Sequence, residues 1–125
     1  MTGATMINAQ LTLLLEIQDL SAKVKELRAP SDVGTLERET FGIDLEEAAS
    51  QLEIRVKELE GQLSEPIRRR YERIAGHLDR VVVPVIAGTC YGCFVSIPTA
   101  TAGEEDPNAS LQTCEHCGRF LYILS

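Results

Sequence analysis

Two Cys-x-x-Cys pairs, Cys90-Tyr91-Gly92-Cys93 and Cys114-Glu115-His116-Cys117, stand twenty residues apart and constrain this chain more than anything else in it. Each pair is a tight turn that aims two sulfurs at one point. Two such turns supply the four thiolates of a tetrahedral zinc site, with metal–sulfur bonds of about 2.3 Å. The chain has four cysteines, so none is left over. The last third must therefore fold so that two turns distant in sequence face each other.

Other uses of four cysteines fit less well. Two disulfides would need an oxidising compartment. The N-terminus, Met1 to Asn8, lacks the basic region of a secretory signal, and the apolar stretch Leu11 to Leu15 is short and runs into Glu16. The expectation is a cytoplasmic protein. A thioredoxin-type site wants one Cys-x-x-Cys at a helix start near a βαβ unit, and none surrounds these cysteines. Rubredoxin-like iron uses the same paired turns, so zinc is the expected metal and iron its alternative. Four thiolates close the coordination sphere and leave no position for a catalytic water. His116 is then surplus as a ligand, and His77 is an isolated imidazole. No nucleophile triad, phosphate loop or carboxylate pair stands elsewhere, so the chain reads as non-enzymatic.

Charge and size set the wider frame. The chain has 125 residues, 5% aromatics, no tryptophan and a net charge of −7. No apolar run approaches a bilayer span. Residues 1–67 carry 13 acids against 6 bases, and residues 81–125 carry 4 acids against one base. Only the segment 68–80 is basic, with 5 bases against 2 acids, concentrated in Arg68, Arg69, Arg70 and Arg73.

The first two-thirds follow a helical period. Met6, Leu13, Ile17, Leu20, Val24 and Leu27 fit a heptad seam with Gln10 as its polar member, and Leu11, Leu14 and Leu15 widen the stripe. That widening suggests more than one neighbour, and a second copy of the chain is one expected cover. Pro30 ends this helix through the residue before it. Gly34 and Gly42 mark a connection over about 29–43, with one short turn at Thr35–Thr40. Asp44, three residues before Glu47, caps a second helix. Its seam is Leu45, Ala49, Leu52, Val56, Leu59 and Leu63, shifting to Ile67, Tyr71, Ile74 and Leu78. Pro66 at the shift predicts a kink or a restart. The helices span about 35 Å and about 50 Å, so an antiparallel pair would leave the end of the second, with Arg68-Arg69-Arg70, at the junction with the cysteine region.

Residues 81–125 read as a small β module. Arg80 to Ala87 favours a strand that Pro84 would confine to a sheet edge or a bulge. Phe94 to Pro98 and Arg119 to Leu124 read as two further strands, and Thr99–Ser110 as an exposed, flexible loop. Gly88 turns the chain into the first cysteine pair. Gly92 and Gly118 fall where the turns need unusual torsions or close approach. So small a module cannot bury enough apolar surface alone, and a bound metal would contribute on the order of 10 kcal/mol to its folding.

The expected architecture is mainly α with a small β module. Residues 1–80 form an antiparallel helical hairpin (a coiled coil), and residues 81–125 form the module around one structural zinc held by Cys90, Cys93, Cys114 and Cys117. This order of features, with Tyr71-Glu72-Arg73-Ile74, Val81–Ile86, Cys90-Tyr-Gly-Cys93 and Cys114-Glu-His-Cys117-Gly118-Arg119-Phe120-Leu121-Tyr122, resembles the bacterial coiled-coil proteins with a C-terminal four-cysteine zinc ribbon. The resemblance covers residues 67–125 closely; in that family the hairpin is usually much longer. It implies a non-enzymatic adaptor. Members are described as nucleic-acid-binding regulators, and some flagellar relatives bind the sigma-54 transcription factor. For this chain the resemblance implies a protein partner, with the transcription machinery as one candidate. Nucleic acid bound through Arg68, Arg69, Arg70 and Arg73 is the less favoured alternative, because the module is acidic and four thiolates with Zn²⁺ add a further −2. The bland reading of those arginines is neutralisation of that charge.

Overall fold

The computed structural model describes residues 7–29, 44–78, 80–97 and 107–124. Met6, the connection 30–43 with its expected turn at Thr35–Thr40, Pro98 and residues 99–106 of the expected loop lie outside the described residues. Helices α1 (Ala9–Arg28), α2 (Leu45–Gly61) and α3 (Glu65–Ala75) precede strands β1 (Val82–Ile86), β2 (Thr89–Cys90), β3 (Gln112–Thr113) and β4 (Phe120–Leu124). The described chain is thus mainly helical with a small four-stranded mixed sheet. No helix among the described residues is long and apolar enough to cross a membrane.

Local chemistry sets the helix ends. Asn8 stands at the start of α1: its Oδ1 accepts the Gln10 and Leu11 backbone N–H groups at 2.8 and 3.3 Å, satisfying donors that a helix start leaves free. Asp44 caps α2 by accepting the Glu47 N–H at 3.1 Å, as its spacing predicted. Pro66 produces a restart. The chain leaves helix at Gln62–Ser64 and re-enters at Glu65, which puts proline in the first turn of α3, where a missing N–H costs nothing. Gln10, the polar member of the first seam, accepts the Ser64 N–H at this break with its Oε1 at 2.8 Å.

Two compact units divide the chain. One comprises Met1–Leu15 with Leu63–Ser125, the other Glu16–Gln62. The expected boundary at residue 80 falls inside the first. In the second unit Ile17, Val24, Ala49, Val56 and Leu59 are buried, all seam positions. Arg28 pairs with Glu46 and Glu53 at 3.0 and 2.8 Å, and Arg55 with Glu16 at 3.8 Å. Those pairs run in reverse order along α1 and α2. Arg28 holds the Glu53 carboxyl below its ordinary range. Exposed pairs of this kind contribute little, so the buried stripe carries the unit.

The first unit contains the sheet, in the order β2-β1-β4-β3, with β1 and β4 parallel and the other pairs antiparallel. Of the three leucines that widen the first stripe, Leu11 and Leu14 are fully buried within this chain and Leu15 is half-buried. Pro84 does not sit at an edge: β1 lies between β2 and β4. Proline is accommodated because its carbonyl accepts the Tyr91 N–H at 3.0 Å on the β2 side, and the donor it lacks falls where that short ladder ends. The described part of the expected strand at Phe94–Pro98, Phe94 to Ile97, is not a strand; among the described residues it forms a single bridge, Thr89 to Ser96.

The described end of the expected loop, 107–110, is turn and bend with Ala109 and Ser110 exposed, and only Asn108 departs from the expected exposure there. Asn108 is buried: its Oδ1 accepts the Ile123 N–H at 2.7 Å, and its Nδ2 donates to the Ile123 carbonyl at 2.8 Å. One amide side chain thus takes the place of a neighbouring strand along the outer half of β4. The Asn108 carbonyl also accepts the Asn8 N–H at 2.8 Å, tying the start of α1 to the sheet.

Candidate metal centre

The sheet positions all four cysteines. Cys90 ends β2 and Cys93 lies in the turn that follows, while Cys114 follows β3 and Cys117 precedes β4. Both turns use the same backbone bonds. Cys90 N–H donates to the Val95 carbonyl at 3.0 Å and Phe94 N–H to the Cys90 carbonyl at 2.7 Å. In the second knuckle Cys114 N–H donates to the Arg119 carbonyl at 2.9 Å and Gly118 N–H to the Cys114 carbonyl at 2.8 Å. Val83, Val85, Leu121 and Ile123 form one buried cluster with Cys90 and Cys114, so strand pairing fixes the separation of the knuckles.

The sulfurs converge. All four lie within 4.8 Å of one another. Cys90 Sγ is 3.9 Å from Cys117 Sγ, and Cys93 Sγ is 3.7 Å from Cys114 Sγ. Around a tetrahedral ion with metal–sulfur bonds of about 2.3 Å the sulfurs stand about 3.8 Å apart. The donor set therefore fits a thiolate-binding metal, and the four cysteines form a cluster that could hold one. No disulfide joins them. His116 is exposed and is not among the clustered ligand atoms.

The thiols are unequal. Burial pushes Cys117 up to about 12, and hydrogen bonds with neighbouring thiols add to the rise. Burial also raises Cys93. At Cys114 burial is outweighed by the backbone N–H groups of Cys117 and His116 and by neighbouring thiols, which lower it to about 7. The Cys117 N–H lies 3.5 Å from the Cys114 sulfur. Cys114 is thus the group readiest to be a thiolate near neutral pH, and a metal would displace protons from Cys93 and Cys117.

The two glycines meet their expectation by different routes. Gly118 has φ +78°, a left-handed torsion that a side chain resists. A Cβ at Gly92 would lie 2.5 Å from Arg119 Nη1 and 3.1 Å from both Val83 methyls, so there the need is close approach. Arg119 therefore reaches from the second knuckle to the first.

The basic cluster is split in use. Arg70 is half-buried and its Nη1 donates to the Gly118 carbonyl at 3.3 Å, which places the cluster beside the second knuckle. Arg69 is exposed and paired with Glu65. Arg68 is half-buried, and Arg73 is exposed. Sequence reasoning missed Asn108, for which a lone polar residue in a polar stretch gives no signal. It also missed the display of Tyr91 and Phe94 on the first knuckle, 46% and 71% exposed with ring centroids 5.6 Å apart.

No protein-family profile matches the chain, and no curated protein matches it in sequence. Among solved structures the chain is similar to CT398 from Chlamydia trachomatis, with a TM-score of 0.53 and 24% identity. The match covers 91% of this chain and 48% of that one, so this chain spans about half the length of the solved one. At that identity the likeness is one of fold.

Proposed function

We propose that the chain is a non-enzymatic zinc-binding adaptor of the cytoplasm, a helical hairpin of coiled-coil type joined to a four-cysteine zinc module, which binds protein partners in transcription or gene regulation. The observation that carries this reading is the cluster of four sulfurs at tetrahedral spacing. Such a set takes up a zinc ion completely and leaves it no reactive position, so the metal's work is to hold the module in shape. The reversed order of the ion pairs between α1 and α2 supports the hairpin. The exposed Tyr91, Phe94 and Val95 support a protein-contacting module, since aromatic residues are enriched where proteins meet.

Nucleic-acid binding through Arg68, Arg69, Arg70 and Arg73 is the competing reading. Phosphate binding needs several free cations along one path. Here Arg69 is paired with Glu65 and Arg70 spends a donor on Gly118. Metal analysis of protein purified without added metal tests the first part, with one zinc per chain expected; iron in its place refutes it. Affinity isolation from native extract tests the second. A saturable protein complex supports the adaptor. Oligonucleotide binding that weakens steeply with salt and disappears when the four arginines become alanine overturns it.

A further inference from the structure

Helix α3 turns one face toward the second knuckle. Arg70, Arg73 and Ile74, at steps of three and four, share one face of α3, and the turn that follows, in which the His77 and Leu78 N–H groups donate to the Ile74 carbonyl at 3.0 and 2.8 Å, adds His77 and Leu78. With Cys117 and Gly118 they enclose a cleft of about 240 Å³. Two guanidinium groups and an imidazole stand over an apolar floor, Cys117 of the cysteine cluster lies at one side, and no aspartate or glutamate lines it among the described residues.

Three features make this a binding surface of defined chemistry. Arg70 is held in place by its bond to the Gly118 carbonyl, and a guanidinium has five N–H donors, so most remain for a ligand. Arg73 is exposed and has no hydrogen-bond or ion-pair partner among the described residues, unlike Arg69, which Glu65 occupies. Ile74 is buried and Leu78 half-buried, which gives the floor aliphatic surface beneath the cationic rim.

We propose that this cleft binds an acidic, aliphatic segment of a protein partner. A carboxylate engages Arg70 and Arg73, and a neighbouring aliphatic side chain lies against Ile74 and Leu78. The proposal rests on the adaptor reading and gives the partner its chemistry. A nucleic acid fits less well. Its backbone requires a longer track of cations, whereas this cleft presents two arginines in a chain of net charge −7. Arginine also matches a carboxylate with two parallel hydrogen bonds, a specificity that a lone point charge lacks.

The test uses the metal-loaded full chain and a capped hexapeptide, Glu-Leu-Asp-Glu-Leu-Asp, followed by amide shifts in NMR. Shifts centred on Arg70, Arg73, His77 and Gly118 are expected. Arg73→Glu should weaken binding about tenfold or more by reversing a charge at the contact. Arg69→Ala, which lies outside the cleft, should change it by less than about twofold. Both variants should keep the wild-type metal content and melting temperature. Absence of shifts at millimolar peptide, shifts centred elsewhere, or unchanged affinity in Arg73→Glu overturns the proposal. So does a short single-stranded oligonucleotide that occupies the cleft more tightly than the peptide. The two levels fail separately. If wild-type protein isolates no protein partner, the adaptor reading falls; if Arg73→Glu retains a partner at wild-type affinity, only the cleft does.

Discussion

The two knuckles share one backbone and differ in what they hold outward. In each, the residue after the second cysteine donates its N–H to the carbonyl of the first and takes a left-handed torsion, φ +61° at Phe94 and φ +78° at Gly118. The turn demands that torsion whatever residue occupies it. The second knuckle meets it with glycine and is tied down: Arg70 bonds the Gly118 carbonyl, and β4 beyond it is closed by Asn108. The first meets it with phenylalanine, whose ring stands mostly in solvent beside Tyr91. One knuckle is anchored and the other displayed, although each contributes two of the four clustered sulfurs.

That equality at the metal gives the largest expected effect. Cys93→Ser and Cys117→Ser should each abolish tight metal binding, removing on the order of 10 kcal/mol of metal-linked folding free energy from the module. Metal stoichiometry and the β contribution to circular dichroism report it. A variant that keeps its metal would show that one knuckle suffices. Chelation at neutral pH should act in the same way while leaving most of the helical signal. Acid follows with a definite sign. Cys93 and Cys117 are raised, so both hold protons at neutral pH without metal, and the metal-bound state carries fewer protons than the free one. Metal-linked stability therefore grows as pH rises and is lost as pH falls. Titration calorimetry in buffers of different ionisation enthalpy should record proton release at pH 7; heats independent of buffer would contradict it.

The anchoring of the second knuckle can be cut behind it. Asn108→Ala removes both partners of the Ile123 backbone and should cost about 2–4 kcal/mol, since two buried polar groups are left unsatisfied. Denaturant midpoints at fixed metal and faster amide exchange at Ile123 would register it. A loss below about 1 kcal/mol would mean that water replaces the side chain at little cost.

What the sequence disclosed follows from the range of the interactions involved. The cysteine quartet, the Asp44 cap, the Pro66 restart and the buried positions Ile17, Val24, Ala49, Val56 and Leu59 rest on spacing within one turn or one helix, which composition and period record. The misses need partners far along the chain. Sequence alone assigns Pro84 to an edge or a bulge, because the end of the β2 ladder, which makes an interior proline tolerable, is visible only once strands pair. Leu11 and Leu14 carry no sign in the sequence of the burial they reach in a unit that joins the start of the chain to residues from Leu63 onward. The burial of Asn108 is invisible in sequence because its two bonds go to Ile123, fifteen residues on. In the candidate metal centre the four cysteines that cluster were legible from spacing, and the contacts of Arg70 and Arg119 were not.

The finest difference between the knuckles is the single left-handed residue. Gly118→Ala places a Cβ in that torsion and should cost about 1–2 kcal/mol. Phe94→Gly relieves the same strain, about 1–2 kcal/mol. Against this, glycine adds about 0.4–1 kcal/mol of unfolded-chain entropy, and the Tyr91 ring contact, worth about 0.5 kcal/mol at an exposed site, is lost. The terms nearly cancel, so Phe94→Gly should lie within about 0.5 kcal/mol of wild type, on the stabilising side. Denaturation of both variants at one metal concentration measures the contrast. If Phe94→Gly costs more than about 1 kcal/mol, its ring packs more than its exposure indicates, and the first knuckle is anchored too. If it costs nothing while the affinity of an isolated protein partner falls, the strain is retained for the display of the ring.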